Sequence, residues 1–156
     1  RVSPGWPALR GAWAGLAWSH GIGHLYRAVL EGVALEYGIY LGALEKLYGA
    51  GRVREVRVTG AGEKSAAWNG IKADLLGVPV VQILGGGGAP MGSALLAAHG
   101  VGIVKDLAEG ARRWVKTGAV TEPDPARGRI ALRRLERYRT LLESLNTWSE
   151  EANRAG

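Results

Sequence analysis

The sequence predicts an α/β domain in which a short pair of parallel strands is flanked by helices. Two observations carry this. Two apolar, β-rich runs, 53–58 and 78–84, each end in a glycine turn and lead into a helix-forming run. Around them lie segments whose apolar residues recur at helical spacing. A helix between two such strands makes them parallel neighbours with a right-handed crossover. Two strands are too few for a stable sheet, so further strands are expected from upstream in a longer parent chain or from another copy of the protein.

Residues 1–21, with Pro4, Gly5, Pro7, Gly11 and Gly15, read as a lead-in loop. A long helix is expected over 23–48, with an apolar stripe of Ile22, Tyr26, Val29, Val33, Tyr37, Tyr40, Leu44 and Leu47. Gly32, Gly38 and Gly42 interrupt it, each at about 1 kcal/mol relative to Ala, which suggests close approach of another backbone there. The strand 53–58 follows. Ser65 is the expected N-cap of a helix over 66–76, which Gly77 stops. The second strand tolerates Pro79 in its first residues. Gly85 to Gly88 form a loop, and Pro90 suits the first turn of a helix over 90–99. A short helix is expected within 103–116, an extended linker over 121–125, and a last helix over 127–148. The domain is expected over 1–149, with 150–156 a disordered tail.

At 156 residues with 47% hydrophobic content, the chain fits one packed domain. Its first residue is Arg, which suggests a piece of a longer protein. No unbroken apolar run reaches the ~18 residues of a membrane span, so no membrane partner is expected. The absence of cysteine excludes disulfides and thiolate metal sites and makes the cytoplasm the expected compartment. The net charge of +6 invites a nucleic-acid reading. Its arginines, however, gather on the last helix at 127, 129, 133, 134, 137 and 139, interspersed with Glu136 and Glu143, as on a solvated face. No nucleic-acid motif accompanies them, and no such partner is expected.

The sharpest local feature is the run Val58-Thr59-Gly60-Ala61-Gly62-Glu63-Lys64-Ser65. A strand delivers a small-residue turn to a helix N-terminus, where free N–H groups and the helix dipole favour an anion. Gly60, Ala61 and Gly62 let a ligand approach the backbone, Lys64 adds a point charge, and Ser65 opens the helix. The run is neither of two known phosphate fingerprints: Glu63 stands before Lys64 where a P-loop has Gly, and Ser65 stands where a dinucleotide fold has its last Gly. An ordinary tight turn remains the other reading. Gly85 to Gly88 repeat the arrangement one unit later, and two adjacent strand ends of this kind form a crevice where ligands sit.

These motifs, in order, resemble the C-terminal part of the FGGY carbohydrate kinases, from Arg1 to about residue 145. Arg1-Val2-Ser3-Pro4 with Ala8-Leu9-Arg10-Gly11 is similar to that family's "ERTP…ARG" segment, and His24 to Ala34 to its "HLYRAVLEGVA" helix. The turn, followed by Trp68 and Ala73-Asp74, resembles "TGGGAKSxxWxQxxAD". Gly77 to Val80 match "GxPV", and Ala89 to Ala98 resemble "AxLGAALLA". The resemblance implies a partial actin-like ATPase (ribonuclease H-like) domain with upstream strands of its sheet missing, which binds ATP with Mg. It places Gly60, Ala61, Gly62, Lys64 and Ser65 at the nucleotide. It puts the catalytic Asp, the first phosphate loop and the carbohydrate-binding residues in an N-terminal sugar-binding lobe, the expected partner. Three positions depart from the pattern: Ala61 for a middle Gly, Gly70 for Gln, and Gly87 where Glu is frequent.

The remaining candidates read as structural. His20 and His24 have helical metal-ligand spacing but no third ligand nearby. His99 sits at a helix C-terminus, where it offsets the dipole. Glu31 is expected to pair with Arg27, Asp74 to bond backbone, and Trp68 to lie in the core. No catalytic or metal-ligating residue is assigned. The expected function is the ATP-binding lobe of a sugar or polyol kinase, inactive alone; the alternative is a non-catalytic module derived from that lobe that self-associates as a homodimer.

Overall fold

The computed structural model describes residue 6 and residues 8–85 and 88–154. Their elements run α1 (Ile22–Tyr48), β1 (Val56–Val58), a turn of 3-10 helix (Ala61–Lys64), α2 (Ala66–Leu76), β2 (Val80–Leu84), α3 (Ala89–Gly100), α4 (Leu107–Trp114), β3 (Lys116–Thr121) and α5 (Pro125–Arg154). The bounds of α2 are those expected, because Ser65 accepts the Trp68 N–H at one end and Gly77 turns left-handed at the other. α5 starts earlier and ends later than expected. Residues 150–154, expected as a disordered tail, continue the helix.

The expected strand pair is part of a three-stranded mixed sheet of order β1-β2-β3. β1 and β2 are parallel, with Val56 opposite Val80, as the helix between them requires. β3 runs antiparallel to β2, from Thr121 opposite Val80 to Lys116 opposite Leu84, with an irregularity between Val81 and Ile83. This third strand lies where a helix end and a linker were expected. β1 is an edge strand. Its Val56 N–H donates toward β2, to the Pro79 carbonyl at 2.9 Å. By strand alternation, Arg57 turns its N–H and C=O to the open side.

Ala34, Leu75 and Leu135 form a core among α1, α2 and α5, with Leu35, Ile39, Ile71 and Ala131 packed around it. Burial of each leucine contributes about 1.5–3 kcal/mol. Val80, Val81 and Ile83 bury the central strand. Asp74, buried near the end of α2, ties in the start of α5: it accepts from the Asp124 N–H at 2.8 Å and from Arg127 Nε at 2.6 Å. Gly128 lets the helices meet, since a Cβ there would stand 2.8 Å from the Asp74 carbonyl oxygen.

One expectation about α1 needs correction. At Gly38 the close neighbours are the side chains of Leu135 and Leu75 rather than another backbone, with Leu135 3.0 Å from a built Cβ; Gly32 has open space. The apolar stripe from Ile22 to Leu47 lies toward the outside. Each of its eight residues is 40% exposed or more, while Ala34 and Gly38 face inward. The lead-in reaches the far end of the molecule: the Arg10 N–H donates to buried Ser149 Oγ at 3.3 Å, and its guanidinium to Asn153.

Candidate functional site

β1 and β2 are parallel, so their C-terminal ends open on the same side. After each strand comes a glycine in a rare backbone region. Gly60 has φ +89, ψ −170, and Gly88 has φ +100, ψ −150, values essentially restricted to glycine. The two turns adjoin: a Cβ built on Gly88 would meet the Thr59 side chain at 3.2 Å. Around Gly60, by contrast, nothing stands within 4 Å of a built Cβ, so a ligand has room against the backbone. α3 begins at Gly88 with no side-chain cap, which leaves its first N–H groups available to an anion.

The structure brings Gly60, Ala61, Gly62 and Lys64 onto one turn and sets Ser65 at the head of α2. Ala61 and Lys64 are exposed, and Lys64 has no ion-pair partner among the described residues. Ser65 Oγ accepts the Trp68 N–H at 3.3 Å, which leaves its hydroxyl hydrogen to donate. Gly62 also serves a neighbour. A Cβ there would lie 2.3 Å from the Trp68 ring, so its missing side chain makes room for tryptophan. Of the departures from the family pattern, Gly70 faces open space and Gly87 lies outside the described residues.

Trp68 is half-buried rather than core. It donates Nε1–H to the Leu30 carbonyl at 3.2 Å, tying α2 to α1. Its ring carries Lys72, with Nζ 4.3 Å from the ring centroid. Lys72 is 3% exposed, and its burial pushes the ammonium below the usual lysine range. Sequence reasoning passed over this residue. The signal was there: one lysine set among the apolar residues of the short helix Ala66–Leu76. It lines a groove of about 520 Å³ beside β1, of which Gly62 and Thr59 form one end. Among the predicted site residues, only Gly62 reaches that groove.

The remaining candidates behave as structure. Glu31 accepts from Arg27 Nε and from Arg134, both at 2.7 Å. His99 Nδ1 bonds the Val104 carbonyl at 2.7 Å just after α3. His20 and His24 stack with centroids 5.1 Å apart, and each Nδ1 accepts a backbone N–H, from Ala17 and Gly21. In a neutral ring so engaged, Nε2 carries the hydrogen and offers a metal no lone pair. Among the described residues no three His, Asp or Glu side chains gather as metal ligands, and no helix is long and apolar enough to cross a membrane.

Comparison with known proteins agrees with this architecture. Residues 1–101 match the model of the FGGY family of carbohydrate kinases, C-terminal domain. A glycerol kinase of Aromatoleum aromaticum is 38% identical over 72% of this chain and 23% of its own. A glycerol kinase of Bordetella pertussis is 32% identical over 96% of this chain and 29% of its own. The crystal structure of xylulose kinase from Rhodospirillum rubrum superposes with a TM-score of 0.74 at 31% identity, over 88% of this chain and 28% of that one. The chain thus spans less than a third of the length of these relatives. With the family match over residues 1–101 and the paired glycine turns on parallel strand ends, the chain belongs to the FGGY family of carbohydrate kinases.

Proposed function

We propose that this chain is the ATP-binding lobe of a sugar or polyol kinase, with the nucleotide held at the glycine turns after β1 and β2. The observation that carries the reading is the repetition of one rare glycine conformation, at Gly60 and Gly88, on adjacent parallel strand ends. Such a crevice presents backbone N–H groups and helix N-termini to phosphate. Gly60 gives close access, the exposed Lys64 adds a positive charge, and the Ser65 hydroxyl stands at the head of α2. Ala61 is exposed, which leaves its methyl no obstacle to a ligand held on the Gly60 side.

Bound ATP supplies the phosphoryl group, which a kinase transfers to a carbohydrate hydroxyl chiefly by positioning and charge stabilisation. No described residue of this chain is assigned to the acceptor, the general base or Mg. On this reading they belong to an N-terminal sugar-binding lobe, consistent with the relatives being more than three times as long. Use of ATP and the lack of cysteine favour the cytoplasm.

Calorimetric titration with a non-hydrolysable ATP analogue tests the reading. Saturable binding is expected, weakened about tenfold by Lys64→Ala through loss of a charge-assisted hydrogen bond of ~1.5 kcal/mol. Absence of saturation up to about 5 mM, an affinity of only ~3 kcal/mol, removes it. The second reading, a self-associating module, draws on the exposed stripe of α1. Light scattering decides it, since a strict monomer contradicts self-association.

A further inference from the structure

Thr59 stands between the two glycine turns, and the nucleotide reading gives it no task. It follows β1 and directly precedes Gly60. Its Cγ2 and Oγ1 each lie 3.2 Å from a Cβ built on Gly88, and the three atoms nearest that position all belong to Thr59. Gly88 is the N-cap of α3, and its carbonyl accepts the Gly92 N–H at 3.0 Å. Pro90 has no N–H, so the donors at the head of α3 are the N–H groups of Ala89 and Met91. Little else fixes where these donors stand, because no residue of α3 is buried. An element with so little buried surface is held by its few local contacts and shifts at small cost.

We propose that Thr59 is a positioning residue for the nucleotide. Its branched side chain sets the gap between the turns, so that Gly60 on one and the Ala89 and Met91 N–H groups on the other reach a single phosphate chain. Shape carries the role, because both branches lie equally close to Gly88. Loss of the branches leaves the Gly88 backbone without contact atoms on that side, and the head of α3 settles elsewhere. A ligand that must meet both turns in one pose is sensitive to a small displacement of either. The inference rests on the reading of these turns as the nucleotide site.

The test compares Thr59→Ala with Thr59→Val, which keeps the branched shape, in the labelled 156-residue chain. Without ligand, residual dipolar couplings of the α3 amides are read against those of β2. They are expected to change in Thr59→Ala and to match the parent in Thr59→Val, with the couplings of α1 and α2 unaltered in both. On titration with a non-hydrolysable ATP analogue, the parent and Thr59→Val are expected to shift the Gly60 and Met91 amides with one midpoint. In Thr59→Ala the Gly60 shift persists and the Met91 shift is lost. Affinity falls about fivefold, as for one anion contact at a helix N-terminus. Unchanged α3 couplings in Thr59→Ala overturn the inference. A Thr59→Val chain that behaves like Thr59→Ala also overturns it, because the role then belongs to the hydroxyl. So does an equal weakening of the response at both turns, the mark of a general loss of structure. A parent that responds at neither turn removes the nucleotide site itself, and the inference with it. A parent that responds at both, with Thr59→Ala indistinguishable from it, removes the inference alone.

Discussion

A single methyl group at position 62 would meet the Trp68 ring at 2.3 Å, well inside contact distance. Gly62→Ala therefore has to displace the indole, its hydrogen bond to the Leu30 carbonyl and the Lys72 ammonium that rests on it. A loss of about 1–3 kcal/mol is expected, typical of overpacking, read as a lower urea midpoint. A variant as stable as the parent contradicts this. Position 60 differs, because the space around it is open and only its backbone conformation demands glycine. The sequence marks both as small residues in one turn. It does not separate the glycine that serves a neighbour from the glycine with open space around it, because that depends on where a side chain on the next helix points.

At the scale of elements, the start of α5 carries a pH-dependent contact. Asp124 accepts the Ala126 and Arg127 N–H groups at 2.7 and 3.0 Å. The Arg127 N–H, then the Ala126 N–H, hold its carboxyl below the usual range. A carboxyl lowered in the folded state stabilises above its unfolded value of 3.8, and that contribution disappears as pH falls through the lower folded value. Asp124→Asn keeps a capping oxygen and removes the charge. Thermal melts from about pH 2 to 6 should show a flatter acid limb for this variant. An unchanged limb contradicts the capping role.

The elements also show where sequence reasoning reaches. α2 was legible to the residue because Ser65 and Gly77 bracket it with side-chain and backbone chemistry. β3 was not, since Gly118 sits mid-strand and the burial of Lys116 to Thr121 does not alternate. The alternation of a half-buried strand is the signal, and an edge strand exposed on both faces lacks it. α1 was legible as a helix from its period, but not in its orientation. Its large apolar stripe lies exposed while the small residues Ala34 and Gly38 face the core. Periodicity finds a face, and the covering partner decides whether that face is buried.

For the molecule as a whole, part of that exposed stripe (Tyr37, Tyr40 and Leu44), the edge strand β1 and Lys72 line one groove. On the proposed reading, the acceptor site lies outside this chain, which spans less than a third of the length of its relatives. The chain alone is expected to release ADP from ATP no faster with xylulose, gluconate or glycerol than without them, in a coupled assay. A sugar-dependent rate above background contradicts its being half of a two-lobed enzyme.

A nucleotide held at the paired glycine turns would register in the amide chemical shifts around them. Addition of an ATP analogue to the labelled chain should move the amides of Gly60 to Ser65 together with those at the start of α3, and leave those of β3 unmoved. Shifts confined to α5 or to the arginines of its outer face, or none at all, would contradict a nucleotide site at these turns.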